Sequence, residues 1–319
     1  MNTTRHQAST LLAVVVVLHG CAASDVVDAP SANHNSRINY VVIHHTSENF
    51  AESLRLLTER TDNPVSAHYL VPEPGDLTYQ QRRLRVYSLV PESSRAWHAG
   101  KSYWAGEEAL NDRSIGIEIV NVAWCADATG ERAVPGPADQ LCFYPDFAEA
   151  QIALVIDLLQ GILRRYPEID PVDIVGHADI APDRKVDPGP RFPWQRLYRA
   201  GIGAWYDEAT VFSYWAKFQE QLPPADVLQR ALAAYGYRVA PTGLADDQSR
   251  VAWRAFQMHF RPSGVTGSPD AETAAILYAL LEKYRPDALP GLAEYVADAI
   301  SAPGGPAVSG WSEYALTRP

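Results

Sequence analysis

The sequence predicts an α/β fold, a sheet with helices packed on its faces, followed by a small all-α three-helix domain. Short β-branched runs alternate with amphipathic helical stretches between residues 38 and 205, the pattern of a sheet covered by helices. After Trp205 the strand-like runs stop, and three helical stretches follow. The chain has 319 residues, 47% of them hydrophobic. That is enough for one medium domain with a smaller companion, and too apolar for global disorder.

Residues 1–20 are excluded from the fold: Arg5 precedes an apolar run from Leu11 to Leu18, too short for a mature membrane span and flanked like a secretory signal. Residues 21–37 are polar with Pro30, Ser31, Asn33 and Asn35, and read as a tether. The main domain is placed at 38–205. It opens on a buried strand, Asn39 to Ile43, and Asn49 then caps a helix whose Phe50, Leu54 and Leu57 recur at helical spacing. Strands are expected near 68–71, 85–90 and 115–120, then a long helix over 146–166. A further strand, 172–175, ends at Gly176-His177. Residues 206–224 read as a linker. Helices are expected at 226–235, 246–259 and 270–284 within a domain spanning 225–285, each opened by an Asp suited to N-capping. The tail, 286–319, is rich in Pro, Gly, Ala and Ser and reads as loose, with an apolar helix near 292–300.

Charge narrows the class. The formal net charge is −11 without a long Lys/Arg run, so nucleic acid is excluded as a partner. Leu18-His19-Gly20-Cys21 resembles the bacterial lipobox, in which the Cys is lipidated and becomes the new N-terminus; His19 departs from the small residue usual there. This makes Cys21 the expected lipidation site and a lipid anchor the expected link to membrane, each buried CH₂ contributing about 0.8 kcal/mol. The alternative is an ordinary cleaved signal with Cys21 merely nearby. Ala22 and Ala23 follow the Cys, which favours an outer-membrane lipoprotein facing the periplasm. Cys125 and Cys142 are left as either a disulfide in an oxidising envelope or two buried thiols.

Three segments carry chemistry. A buried strand ends in His44-His45; in Ser114-Ile115-Gly116-Ile117-Glu118-Ile119 one carboxylate interrupts an apolar run; and Gly176 to Gly189 is dense in groups that bind metals and protons. Each alone has a bland reading as a polar chain turn, a paired structural carboxylate or a proline-held surface loop. Together they match a hydrolytic zinc, which takes three protein ligands and a fourth position for water. His44, His177 and Asp187 are the candidate ligands for Zn2+. Glu118, its pKa raised by an apolar surround, is the candidate general base. Lys185, two residues before Asp187 and so on the same side of an extended loop, is the candidate donor to a developing oxyanion.

Ile-His-His-Thr at 43–46, Ala-Trp-His-Ala-Gly at 96–100, Asn-Asp-Arg-Ser-Ile-Gly-Ile-Glu at 111–118 and the run 176–189 resemble the N-acetylmuramoyl-L-alanine amidases of the AmpD/AmiD group over residues 38–205. The resemblance implies a mixed β-sheet flanked by helices, zinc on His44, His177 and Asp187, and catalytic roles for Glu118 and Lys185. The implied reaction is hydrolysis of the amide joining N-acetylmuramic acid, its 1,6-anhydro form included, to L-alanine, with peptidoglycan or muropeptides as partners. Ala255 to Pro262 with Gly264, Gly267, Asp270 and Thr273 looks like a peptidoglycan-binding three-helix module, whose Phe256, Phe260, Ile276 and Leu280 read as core.

Adjacent strand side chains face opposite ways, so only one of His44 and His45 can ligate; the resemblance selects His44. Trp97, His98 and His68 are read either as packing or as lining a substrate groove, with Trp97 and His98 leaning to the groove. Asn111 and Arg113 either contact peptide or shape a turn. Two rivals share the metal chemistry or the fold: a non-catalytic peptidoglycan-recognition protein, and a zinc peptidase cutting within the stem peptide.

Overall fold

The computed structural model describes residues 27–126, 131–133 and 141–293. The expected leader with Cys21 and the helix expected near 292–300, past residue 293, lie outside them. Among the described residues, 27–35 form a unit of their own that holds neither helix nor strand. The described residues from Ser36 onward belong to a second unit. Among the described residues no helix is long and apolar enough to cross a membrane.

Five strands form the central sheet: β1 (Tyr40–His45), β2 (Tyr69–Val71), β3 (Tyr87–Ser88), β6 (Ser114–Ile119) and β10 (Ile174–Gly176). Their order is β10-β1-β6-β2-β3. The first four run parallel and β3 is antiparallel, so the sheet is mixed, as expected. A two-stranded ribbon, β4 (Tyr103–Trp104) with β5 (Glu107–Glu108), precedes β6. A three-stranded one follows it, in which β7 (Trp124–Ala126) pairs with both β8 (Arg132–Ala133) and β9 (Cys142–Phe143). Cys125 lies directly opposite Cys142 there, and the two sulfurs are bonded.

Strand alternation decides what each face carries. Val41, Ile43, Ile115, Ile117 and Ile119 are fully buried and share a core with Ile152, Val155, Leu159 and Ile162 of α2 (Glu149–Arg165). Each such aliphatic side chain contributes roughly 1.5–3 kcal/mol on burial. The helix starts three residues later than its periodicity suggested, at an Ala148 that offers no side-chain cap. On the other face α1 (Phe50–Thr58) is capped by Asn49, which accepts from Glu52 N–H. It packs Phe50 and Leu57 against Leu70 and Val120. The last strand begins two residues later than expected because Pro171–Asp173 forms a 3₁₀ turn.

The expected linker at 206–224 is a correction. Residues Glu208–Glu220 form a helix, α5, following the short α3 (His177–Ile180) and α4 (Trp194–Arg199). Val211, Tyr214 and Phe218 recur on one side of it, and Tyr214 and Phe218 lie 5.5 and 5.0 Å, ring to ring, from Tyr278 of α8 (Ala271–Tyr284). The helical domain then consists of α6 (Ala225–Tyr235), α7 (Asp247–Phe260) and α8. Asp246 and Asp270 cap α7 and α8 as expected, through Ser249 N–H and Thr273 N–H. Asp226 does not cap α6: the chain enters through Pro224, and Asp226 sits in the first turn. Phe256, Phe260, Ile276 and Leu280 are core. That core is continuous with the sheet's: Trp104 lies 4.9 Å from Tyr237, ring to ring, and a Cβ at Gly236 would stand 2.8 Å from the Trp104 ring.

Candidate metal centre

The parallel register aligns the site. His44 of β1 is paired with Glu118 of β6. Ile43 is paired with Gly176 of β10, which puts His177, the next residue, level with His44. Paired residues on neighbouring strands point to the same face. The carboxyl ends of three strands therefore present His44, Glu118 and His177 side by side.

His177 and Asp187 complete a triangle with His44. Nδ1 of His44 lies 3.0 Å from Nδ1 of His177 and 3.0 Å from Oδ2 of Asp187, and the remaining side is 3.1 Å. All three residues are buried, and they form a group able to hold one metal ion. Ligands at the corners of a zinc tetrahedron with bonds of 2.0–2.1 Å stand about 3.3 Å apart, so this His₂Asp set fits zinc in donor type and in spacing.

Hydrogen bonds behind the ligands settle which nitrogen is offered. The Ser114 hydroxyl donates to Leu110 O at 2.6 Å, so its oxygen accepts from Nε2–H of His98 at 3.2 Å. Nδ1 of His98 is then a bare acceptor and takes the Nε2–H of His44 at 3.0 Å. That leaves the Nδ1 lone pair of His44 for the metal, the outer-sphere arrangement that orients most ligating histidines. His177 reaches the same state by donating Nε2–H to Ala99 O at 3.3 Å. The guanidinium of Arg184 bonds the same carbonyl, fixing the ledge on which His177 rests. Gly116 makes room for the relay: a Cβ there would stand 2.4 Å from Cγ of His98.

Burial, then the neighbouring His177, pushes His44 down to about 4, so it is neutral and ready to ligate at any ordinary pH. Burial alone would raise Asp187, but the imidazoles of His177 and His44 hold it well below the usual carboxylate range. Glu118 is raised to about 8, first by burial and then by the Asp187 charge, with Lys185 opposing. Its Oε2 has no hydrogen-bond partner within the protein. Lys185 is partly buried, close enough for its charge to act on Glu118 and His44. It is reached through a turn in which Arg184 and Lys185 N–H both bond Ala181 O, rather than through an extended loop.

The other expected site residues are placed differently from one another. His45 lies on the opposite face, buried, with Nδ1 against Ser47 Oγ at 3.2 Å. His98, read as leaning to the groove, is 7% exposed and supports His44. Asn111 is interior too, its Oδ1 accepting the N–H groups of His98 and Ala99. His68 accepts Gly116 N–H and is set against Ser94 O. Arg113 precedes β6 and pairs with Glu107 at 3.4 Å. It is five residues from Glu118 and so roughly 16 Å along the strand, which takes it out of the site. Trp97 is well exposed, at 52%. Ser114, Gly116, Asp179 and Arg184 were not singled out from sequence. Their contribution is contact made across the fold, and a serine, a glycine or a loop arginine carries no local signal of it.

Comparison with known proteins agrees with the geometry. A family model for N-acetylmuramoyl-L-alanine amidase matches residues 34–190, and one for a peptidoglycan-binding domain matches residues 223–277. The chain is 43% identical over 289 residues to the N-acetylmuramoyl-L-alanine amidase AmiD of Escherichia coli strain K12, covering 87% of this chain and 98% of that protein. It is similar in structure to AmpDh3 from Pseudomonas aeruginosa in complex with anhydromuramic pentapeptide, with TM-score 0.73, 43% identity, and coverage of 83% of this chain and 99% of that one. It is also similar to the E. coli AmiD complex with anhydro-N-acetylmuramic acid-L-Ala-D-gamma-Glu-L-Lys, with TM-score 0.67, 44% identity, and coverage of 80% and 93%.

Proposed function

The chain belongs to the N-acetylmuramoyl-L-alanine amidase family, and from this we propose that it hydrolyses, with zinc, the amide between N-acetylmuramic acid and L-alanine in peptidoglycan or muropeptides. The observation that carries the proposal is the buried triangle of two Nδ1 atoms and one carboxylate oxygen, level on the sheet with Glu118, whose Oε2 has no hydrogen-bond partner within the protein. The related complexes hold anhydromuramic ligands, which supports the 1,6-anhydro form as a substrate here.

His44, His177 and Asp187 would hold the zinc, which when bound would supply Lewis acidity toward the scissile carbonyl and lower the pKa of a water toward neutrality. The chain's own groups do the rest. Glu118 accepts the proton of the attacking water and passes it to the nitrogen of the departing L-alanine. A carboxyl raised toward neutrality suits both halves of that task, since it takes and returns the proton at similar cost. Lys185 donates to the carbonyl oxygen as negative charge gathers on it. Exposed Trp97 offers a flat apolar face to a sugar ring.

The test is digestion of a defined muropeptide by the zinc-loaded protein, with products weighed by mass spectrometry. Free stem peptide beginning with L-Ala is the expected product. A cut between amino acids would replace the proposal by a peptidase, and absence of release by a binding protein. For the N-terminus we propose a lipoprotein anchored through Cys21 in the outer membrane and facing the periplasm, supported by the lipobox-like sequence before it. Cys21→Ala is expected to move the protein to the soluble fraction with activity intact; continued membrane association would refute the anchor.

A further inference from the structure

We propose that the helical domain completes the metal centre: Tyr237 and His259 are positioning residues that hold, through Asp179, the loop presenting His177 and Asp187. The inference rests on the metal-site reading above and concerns what keeps that site in shape.

Asp179 is two residues beyond the ligand His177 and is 2% exposed. A carboxyl so deeply buried is costly unless donors surround it. Three do. Its Oδ2 accepts the N–H of Gly176 at 2.7 Å and is bonded to Nδ1 of His259 at 2.8 Å, while Oδ1 accepts the Tyr237 hydroxyl at 2.5 Å. Gly176 belongs to the metal loop itself. The other two donors come from the helical domain, 58 and 80 residues further along the chain.

Each bond has a consequence for the ligands. Gly176 immediately precedes His177, so its tie to Asp179 fixes where the strand stops and the ligand begins. One residue past His177, Ala178 N–H bonds Asp187 O at 2.8 Å, which couples the second ligand to the same turn. His177 is thus bracketed on both sides, and Asp179 is the point at which the bracket is fastened. The fastening itself is stiff. The His259 ring is stacked between Trp194 at 3.8 Å and Phe260 at 3.9 Å, so its Nδ1 is held in one direction. Tyr237 is buried against Trp104, 4.9 Å ring to ring. None of these groups is open to a polymer, so wall binding does not account for them. A buried carboxylate shared between the metal loop and the helical domain does what outer hydrogen bonds do at metal centres: it sets ligand position.

The experiment uses the full-length protein. Zinc affinity is read by competition with a chelator, and amide exchange over residues 176–188 is followed in the metal-free form. Tyr237→Phe removes one hydroxyl and keeps the ring; adding His259→Gln moves the second donor away. The double variant is expected to lose zinc about 10- to 100-fold more readily than the parent, with the increase in exchange concentrated in 176–188. His259→Asn, which keeps an N–H near the Nδ1 position, is expected to restore most of the loss. Should the double variant fail to fold, Tyr237→Phe alone decides by the same two readouts. Parental zinc affinity and parental exchange in the folded variants would overturn the inference and leave the proposed function intact. A parent that binds no zinc would overturn both.

Discussion

Which nitrogen of His44 meets the metal is decided by a hydroxyl two hydrogen bonds away in the relay Ser114–His98–His44. His98→Phe keeps the ring and removes the acceptor. Zinc affinity is then expected to fall about 10- to 100-fold, and an unchanged chelator titration would remove His98 from its supporting role. Glu118→Ala is expected to lower kcat by about 10²–10⁴ with zinc still bound; near-parental turnover would give the proton transfer to another group. Titration gives a second view of Glu118. Its folded value of about 8 lies above the ordinary 4.5, so between those values the folded state holds a proton that the unfolded state has lost. Stability from this group therefore falls as pH rises through that window. In metal-free protein Glu118→Gln is expected to gain stability relative to the parent from pH 4.5 to 8. Urea midpoints that keep a constant gap would show that the carboxyl is not raised.

At the scale of elements, register does most of the work. The parallel pairing of β1 with β6 and β10 sets His44, Glu118 and His177 at one level, and a slip of one residue would turn each to the wrong face. Gly116 is the element-scale weak point, because β6 must leave space for the His98 ring. Gly116→Ala puts a methyl 2.4 Å from that ring, and overpacking of this kind costs about 1–3 kcal/mol. A lower urea midpoint together with weaker zinc binding is expected; a variant with parental values of both would mean that His98 has room to shift. The helical periodicity of α1 and α2 was legible in Phe50, Leu57, Ile152 and Leu159, whose spacing reports a buried face directly. The helix α5 was not, because none of its residues is fully buried and its Tyr214 and Phe218 have meaning only against Tyr278.

For the whole molecule the main fact is that two domains distinct in sequence share one apolar core. Trp104 and Trp194 of the sheet domain are covered by Tyr237 and His259 of the helical domain. A chain ending at residue 205 would expose both indoles and leave the Asp179 carboxyl without two of its three donors. Such a truncation is expected to be insoluble or to unfold at markedly lower urea than the parent. A soluble fragment with parental zinc affinity would show the two parts to be independent.

The ligand residues, the candidate base and a sheet covered by helices were legible in the sequence, while the mixed character of the sheet was implied by the family resemblance. Strand periodicity is local, and an ionisable residue inside an apolar run, such as Glu118, already stands out among its own neighbours. Sequence also limited His44 and His45 to one ligand between them, since alternation is a property of any strand. What only the tertiary structure decided is what lies behind the ligands: His98, Asn111 and His68 turned inward, Arg113 at the far end of its strand, and Asp179 fastened to another domain. These roles are hydrogen bonds and close contacts between residues 12 to 80 positions apart. A polar side chain bears no local mark of such a partner, because the partner is chosen by packing after the chain has folded.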